Sequence, residues 1–118
     1  MTLSWVDWDI DDVTVISLTG RITLGEGTAR LRDAVKQVLE RGRNKVILNM
    51  GEVMYIDSSG LGELVQSHTR VMAAGGQLKL VKVQQLARDI IQITRLFTVF
   101  EVHPDEETAV KSFQRSAA

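Results

Sequence analysis

Val46-Ile-Leu-Asn-Met-Gly-Glu-Val-Met-Tyr-Ile-Asp-Ser-Ser-Gly-Leu-Gly62 decides how the rest of this chain is read. Val46, Ile47 and Leu48 form an unbroken apolar run, which predicts a strand buried on both faces rather than one with a wet side. The chain is then expected to leave that strand through Asn49-Met50-Gly51-Glu52, with Val53 to Ile56 returning it to the protein body. Asp57-Ser58-Ser59-Gly60 follows, directly ahead of a helical pattern in which Leu61, Leu64, Val65, His68, Val71 and Met72 share one face. The polar quartet therefore marks the N-terminus of a helix expected over about residues 60–74. A first helical turn offers unpaired N–H groups and the positive end of the dipole, so a hydroxyl or phosphate placed there is well received. Two readings of the quartet stand side by side. Asp, Ser and Gly are ordinary capping residues. Yet two serines and an aspartate exceed what one cap uses, and Gly60 and Gly62 leave the helix start thinly covered, which favours the close approach of a partner.

Size and composition bound the remaining possibilities. The 118 residues suffice for one domain, taken as 1–118 with a core over about 3–114, and leave no room for a second. Hydrophobic residues at 44% and charged residues at 25% are ordinary for a globular protein. Lys and Arg number 14 against 15 Asp and Glu, so the charge of −1 gives no electrostatic ground for nucleic acid as a partner. No apolar run is long enough to span a bilayer, and residues 1–9 lack the basic-then-apolar order of an export signal, so no membrane insertion and a cytoplasmic location are expected. The absence of cysteine removes disulfides, thiolate nucleophiles and the common zinc clusters.

Outward from the central stretch, Leu3 to Ile10 and Val13 to Leu18 read as a hairpin whose turn is acidic at Asp9, Asp11 and Asp12. Trp5 and Trp8 fall on opposite faces of the first strand, as core or edge packing. Residues 20–27 carry glycines but match neither phosphate-binding pattern, and they lead into a helix with Leu31, Ala34, Val35, Val38 and Leu39 on one stripe. Gly42 is expected just past its end in the left-handed region, and Arg41, Arg43 and Lys45 as a solvated basic helix end. His68, with no carboxylate or second histidine at ligand spacing, is expected as a satisfied buried or half-buried imidazole rather than a metal or catalytic group. Gln77 to Val83 is a further strand. A third helix carries Leu86, Ile90 and Ile93, then Leu96 and Phe97. Val99 to Val102 forms a last strand, and a last helix opens at residues 103–107, docks through Ala109, Val110 and Phe113, and frays over Ser116, Ala117 and Ala118. Strands alternating with helices make an α/β domain: a mixed, mostly parallel sheet of about five strands covered by about four helices, with an opening β-hairpin. Pattern alone leaves open whether the helices cover one face of the sheet or both, and four amphipathic helices would fit a single layer.

At Ile56-Asp57-Ser58-Ser59-Gly60-Leu61-Gly62 the chain resembles the STAS family, in particular the bacterial anti-sigma factor antagonists. The resemblance extends to Leu18-Thr19-Gly20, to Val46 through Met50, to Gly75-Gly76 with Leu78-Lys79-Leu80, and to Thr94 through Phe100. It implies a mixed sheet covered by helices and a protein that performs no chemistry of its own. By that resemblance Ser58 is phosphorylated by an anti-sigma factor serine kinase, with ATP and metal belonging to the kinase. The unmodified form binds the kinase and frees a sigma factor; phosphorylation switches binding off until a serine phosphatase restores it. Asp57 would orient the hydroxyl or contact the partner, and Ser59, Gly60 and Leu61 would form the helix start that the partner meets.

One departure bears on partner identity. After Leu-Thr-Gly the better-known antagonists carry Glu-Leu-Asp, whereas this chain has Arg21-Ile22-Thr23. Arg21 is expected either to pair with a phosphate on Ser58 or to bridge to a neighbour such as Glu26, and Arg21 and Thr23 join the partner-facing set. The competing reading is a STAS adaptor or scaffold subunit, stressosome-like or part of a lipid ABC transporter, indifferent to the Ser58 hydroxyl. An enzyme is disfavoured: there is no Cys, the two His residues lack partners at useful spacing, and Ser58 has no general base in its local motif. Neither cofactor, metal nor catalytic residue is expected.

Overall fold

The computed structural model describes residues 3–95 and 98–116. β1 (Leu3–Ile10) and β2 (Val13–Ile22) form the antiparallel hairpin. After α1 (Glu26–Glu40) the chain enters β3 (Lys45–Ile56), then α2 (Ser58–Ala73), β4 (Gln77–Val81), α3 (Gln85–Ile93), β5 (Glu101–His103) and α4 (Glu106–Ser116). The sheet order is β1-β2-β3-β4-β5, with every pair after the first parallel. Leu96, Phe97, Ala117 and Ala118, to which sequence assigned a helix extension and a frayed end, lie outside the described residues, as do the side chains of Leu86 and Ile93.

Each parallel step moves the same way across the sheet, so right-handed crossovers put α1, α2 and α3 on one face. There Leu31, Val35 and Val38 of α1, Leu64 and Val71 of α2 and Ile91 of α3 pack with Ile16, Leu18, Val46, Leu48 and Leu80. The helices cover both faces of the sheet. α4 crosses to the other face, where Ala109, Val110 and Phe113 cover Val13, Val15, Ile47 and Val81. The run Val46-Ile47-Leu48 is thus buried on both faces, as its lack of alternation required, and each such side chain contributes roughly 1.5–3 kcal/mol. The strand order never reverses, so the sheet has no switch-point crevice of the kind that holds nucleotides in doubly wound folds.

β3 does not leave the sheet at Asn49. It continues to Ile56 against β2, and its register slips between Ser17 and Thr19 and again between Gly20 and Arg21, each slip adding one residue to β3. The Asn49 side chain supports the first slip, its Oδ1 accepting from Gly51 N at 2.9 Å while its Nδ2 donates to Glu106 at 2.7 Å. The ladder between β3 and β4 ends at Asn49 and Val81, so the last turn of β3 toward Ile56 pairs on the β2 side alone.

The basic cluster after α1 stays partly exposed, and each of its cations is paired with a carboxylate of the hairpin. Arg41 pairs with Asp7 at 3.3 Å, Arg43 with Asp9 at 3.2 Å and Lys45 with Asp12 at 2.5 Å. Parallel pairing of β2 and β3 brings both strand starts together, so the acidic hairpin and the basic connection neutralise one another. Gly42 takes φ 78° just past α1, its N–H bonded to Leu39 O, as expected for a left-handed helix stop.

Candidate functional site

The site lies where the C-terminal ends of β2 and β3 meet the start of α2. Asp57 stands in extended backbone (φ −97°) as the N-cap, so α2 begins at Ser58, two residues earlier than the apolar periodicity indicated. Its Oδ1 accepts from Gly60 N at 2.7 Å and its Oδ2 from Leu24 N at 3.0 Å. One carboxylate therefore caps α2 and ties it to the β2–α1 connection, and Asp57 N adds a bond to Ile22 O at 3.3 Å. The role falls on Asp57 because its side chain is short enough to reach both N–H groups from a β-region backbone.

These bonds hold the Asp57 carboxyl below its ordinary range, the Leu24 N–H contributing most and the Gly60 N–H next. A carboxylate depressed on folding stabilises the fold fully above its unfolded pKa of about 4, and the contribution is lost as pH falls through the lower folded value. Asp57→Asn is expected to flatten the acid-side fall of the melting temperature below about pH 4, measured by thermal scans from pH 7 downward. An unchanged acid limb in that variant would assign the sensitivity to other carboxylates.

Ser58 is exposed and Ser59 half-buried. Among the described residues the Ser58 hydroxyl makes no hydrogen bond, since Asp57 already does the capping. Gly60 is not part of the open surface. It is buried, and a Cβ built there would stand 1.9 Å from Ile22 O and 2.9 Å from the Ile56 side chain. Its missing side chain serves the packing of α2 onto the end of β2, whereas a Cβ on Gly62 would meet nothing within 4 Å. Leu61 and Thr23 are half-buried, and Leu61 packs onto the core. Arg21 is exposed at the end of β2, in register with Tyr55, and among the described residues it forms no ion pair with Glu26 or any other carboxylate.

Sequence reasoning missed three neighbours. Leu24 is 77% exposed, Met54 73% and Tyr55 46%. Val53 and Ile56 return to the body as expected, but the bulges break the in–out alternation between them, and the absence of β4 alongside leaves Met54 and Tyr55 in solvent. It also missed Glu63, buried on α2 between Arg32 of α1 at 2.8 Å and Arg70 at 2.7 Å, which fixes α1 against α2 behind the site. His68 is half-buried, edge-on to Phe100 with ring centroids 5.8 Å apart.

Residues 8–109 match the STAS domain family. The chain belongs to that family. It is similar to the Bordetella bronchiseptica protein BtrV, to which an anti-sigma factor antagonist role is ascribed, with 24% identity over 105 residues, 89% of this chain and 90% of that one. A crystal structure of a Thermotoga maritima protein given the same role superposes with TM-score 0.84 at 22% identity, covering 92% of each chain. SpoIIAA of Bacillus, an anti-sigma factor antagonist solved in unphosphorylated and phosphorylated forms, superposes with TM-score 0.70 in each. Identity to the two SpoIIAA structures is 18% and 20%, over 95% and 93% of this chain and 98% and 99% of theirs. In this STAS domain no helix is long and apolar enough to cross a membrane, among the described residues.

Proposed function

We propose that this STAS domain is an anti-sigma factor antagonist switched by phosphorylation of Ser58. The observation that carries the reading is a spare hydroxyl: Ser58 is exposed as the first residue of α2, and the cap it could have supplied comes from Asp57. A phosphate at that position adds a charge of about −1.5 to −2 where the helix dipole and first-turn N–H groups accommodate it, so the domain stays folded. The same charge facing a partner opposes docking through repulsion and desolvation, which switches an interface without refolding the protein. That SpoIIAA keeps one fold in both forms supports such a switch.

In this reading the chain acts in the cytoplasm as substrate and binding surface. An anti-sigma factor serine kinase supplies ATP and metal, and a serine phosphatase resets the switch. The test is a displacement assay. A labelled sigma factor held by an ATP-using anti-sigma factor is expected to be released by the unmodified chain and retained when the chain has first been treated with kinase and ATP. Equal release by treated and untreated chain would contradict the reading.

A further inference from the structure

We infer that the surface beside Ser58 accepts a protein face that is apolar and presents a carboxylate to Arg21, and that Arg21 selects among candidate partners. The inference rests on the antagonist reading above and specifies the partner chemistry it requires. Seven large hydrophobic residues are exposed among those described, and three of them, Leu24, Met54 and Tyr55, gather at this one end of the sheet. The bonding pattern ties them to the switch: Leu24 N–H binds the Asp57 carboxylate, and Tyr55 stands two residues before it, in register with Arg21. Apolar side chains gathered around a polar, modifiable position are the composition of an interface centre rather than of ordinary surface.

Charge supplies the second half. Most other guanidinium groups of the described chain are engaged, Arg32 and Arg70 with Glu63, Arg41 and Arg43 with the hairpin aspartates, Arg30 with Leu3 O and the Trp5 ring, whereas Arg95, after α3, is exposed without such a partner among the described residues. Arg21 is exposed with neither ion pair nor hydrogen bond among the described residues. Its planar fork matches a carboxylate through two parallel N–H bonds. Glu26 and Glu52 are exposed at the same end, also without an ion pair, so the surface is not uniformly basic. A partner carboxylate is welcome opposite Arg21 and repelled on either side, which is how charge placement produces discrimination.

The probes are the ATP-using anti-sigma factors of the source genome, each purified and titrated against the full chain by calorimetry. The one that binds is expected to bind Arg21→Glu at least about tenfold more weakly, with the circular dichroism spectrum unchanged because the side chain is exposed. Its affinity for the parent should fall more steeply with added salt than its affinity for Arg21→Ala, since the pair is screened. Leu24→Ser and Met54→Ser should each weaken binding about tenfold. Reversing the partner's facing carboxylate to arginine should restore Arg21→Glu and penalise the parent. Parent-like affinity of Arg21→Glu, with Ser58→Asp still weakened, overturns the inference and leaves the antagonist reading standing. Failure of every anti-sigma factor to bind the parent, or unchanged affinity of Ser58→Asp, overturns both.

Discussion

Replacing Gly60 with alanine is expected to cost the domain about 3 kcal/mol or more, a large share of the roughly 5–15 kcal/mol that holds a domain of this kind together. The new Cβ would stand 1.9 Å from the carbonyl oxygen of Ile22 and 2.9 Å from the Ile56 side chain. The first obstacle is backbone in β2, which cannot turn aside as a side chain can, so α2 must shift bodily away from the strand. That shift strains the Asp57 bonds to Gly60 N and Leu24 N together, because one carboxylate makes both. The melting temperature should fall by about 10 °C or more. Gly62→Ala is the matched comparison. Nothing lies within 4 Å of its Cβ, and it replaces a glycine on the exposed side of the helix, so it should raise stability by up to about 1 kcal/mol. Equal tolerance of both changes would mean that α2 does not sit on β2 as described.

Ser58→Asp is expected to weaken anti-sigma factor binding about a hundredfold while the melting profile stays near the parent's. The position is exposed and at the positive end of α2, so a carboxylate is tolerated by the fold. It is not tolerated by a partner face that also carries a carboxylate for Arg21, since like charges brought together in an interface cost several kcal/mol. Ser58→Ala should separate the two roles of the hydroxyl. It removes the acceptor but no cap, so the alanine chain should displace sigma factor as the parent does and go on doing so after kinase treatment. Ser59→Ala is the control for an exchange of roles between adjacent serines. Retention of parent affinity by Ser58→Asp, at unchanged salt, would exclude an electrostatic switch at this residue.

Much of this architecture was written in local pattern. The unbroken Val46-Ile47-Leu48 announced a strand covered on both faces, and the helix stop at Gly42 was legible because few residues adopt φ 78° without strain. What local pattern could not carry was the pairing between distant segments. The acidic turn and the basic cluster are 33 positions apart at Asp12 and Lys45, and only the parallel alignment of β2 and β3 shows that they meet. The face that α4 covers was equally open, because its single apolar stripe says that it docks, not on which side. The strand continuing from Asn49 to Ile56 was hidden for another reason. Bulges break the period of two on which strand recognition depends, and they created the exposed pair Met54 and Tyr55.

The site divides in the same way. Ser58 at a helix start and Asp57 beside it followed from the order of polar and apolar residues. The division of labour between them did not, because it depends on the Leu24 N–H, contributed by a connection 33 residues earlier. Gly60 in sequence suggests an opening for a partner, but its lack of a side chain serves contact with Ile22 inside the protein. Sequence identifies residues without side chains; tertiary contact decides what uses the space.

The most direct measurement is site-resolved phosphopeptide mapping of the full chain after incubation with the anti-sigma factor that binds it and ATP. The account predicts a single phosphate on Ser58, at a stoichiometry approaching one, and none on the Ser58→Ala chain. Phosphate on Ser59 in the parent, or a binding kinase that leaves Ser58 unmodified, would contradict it.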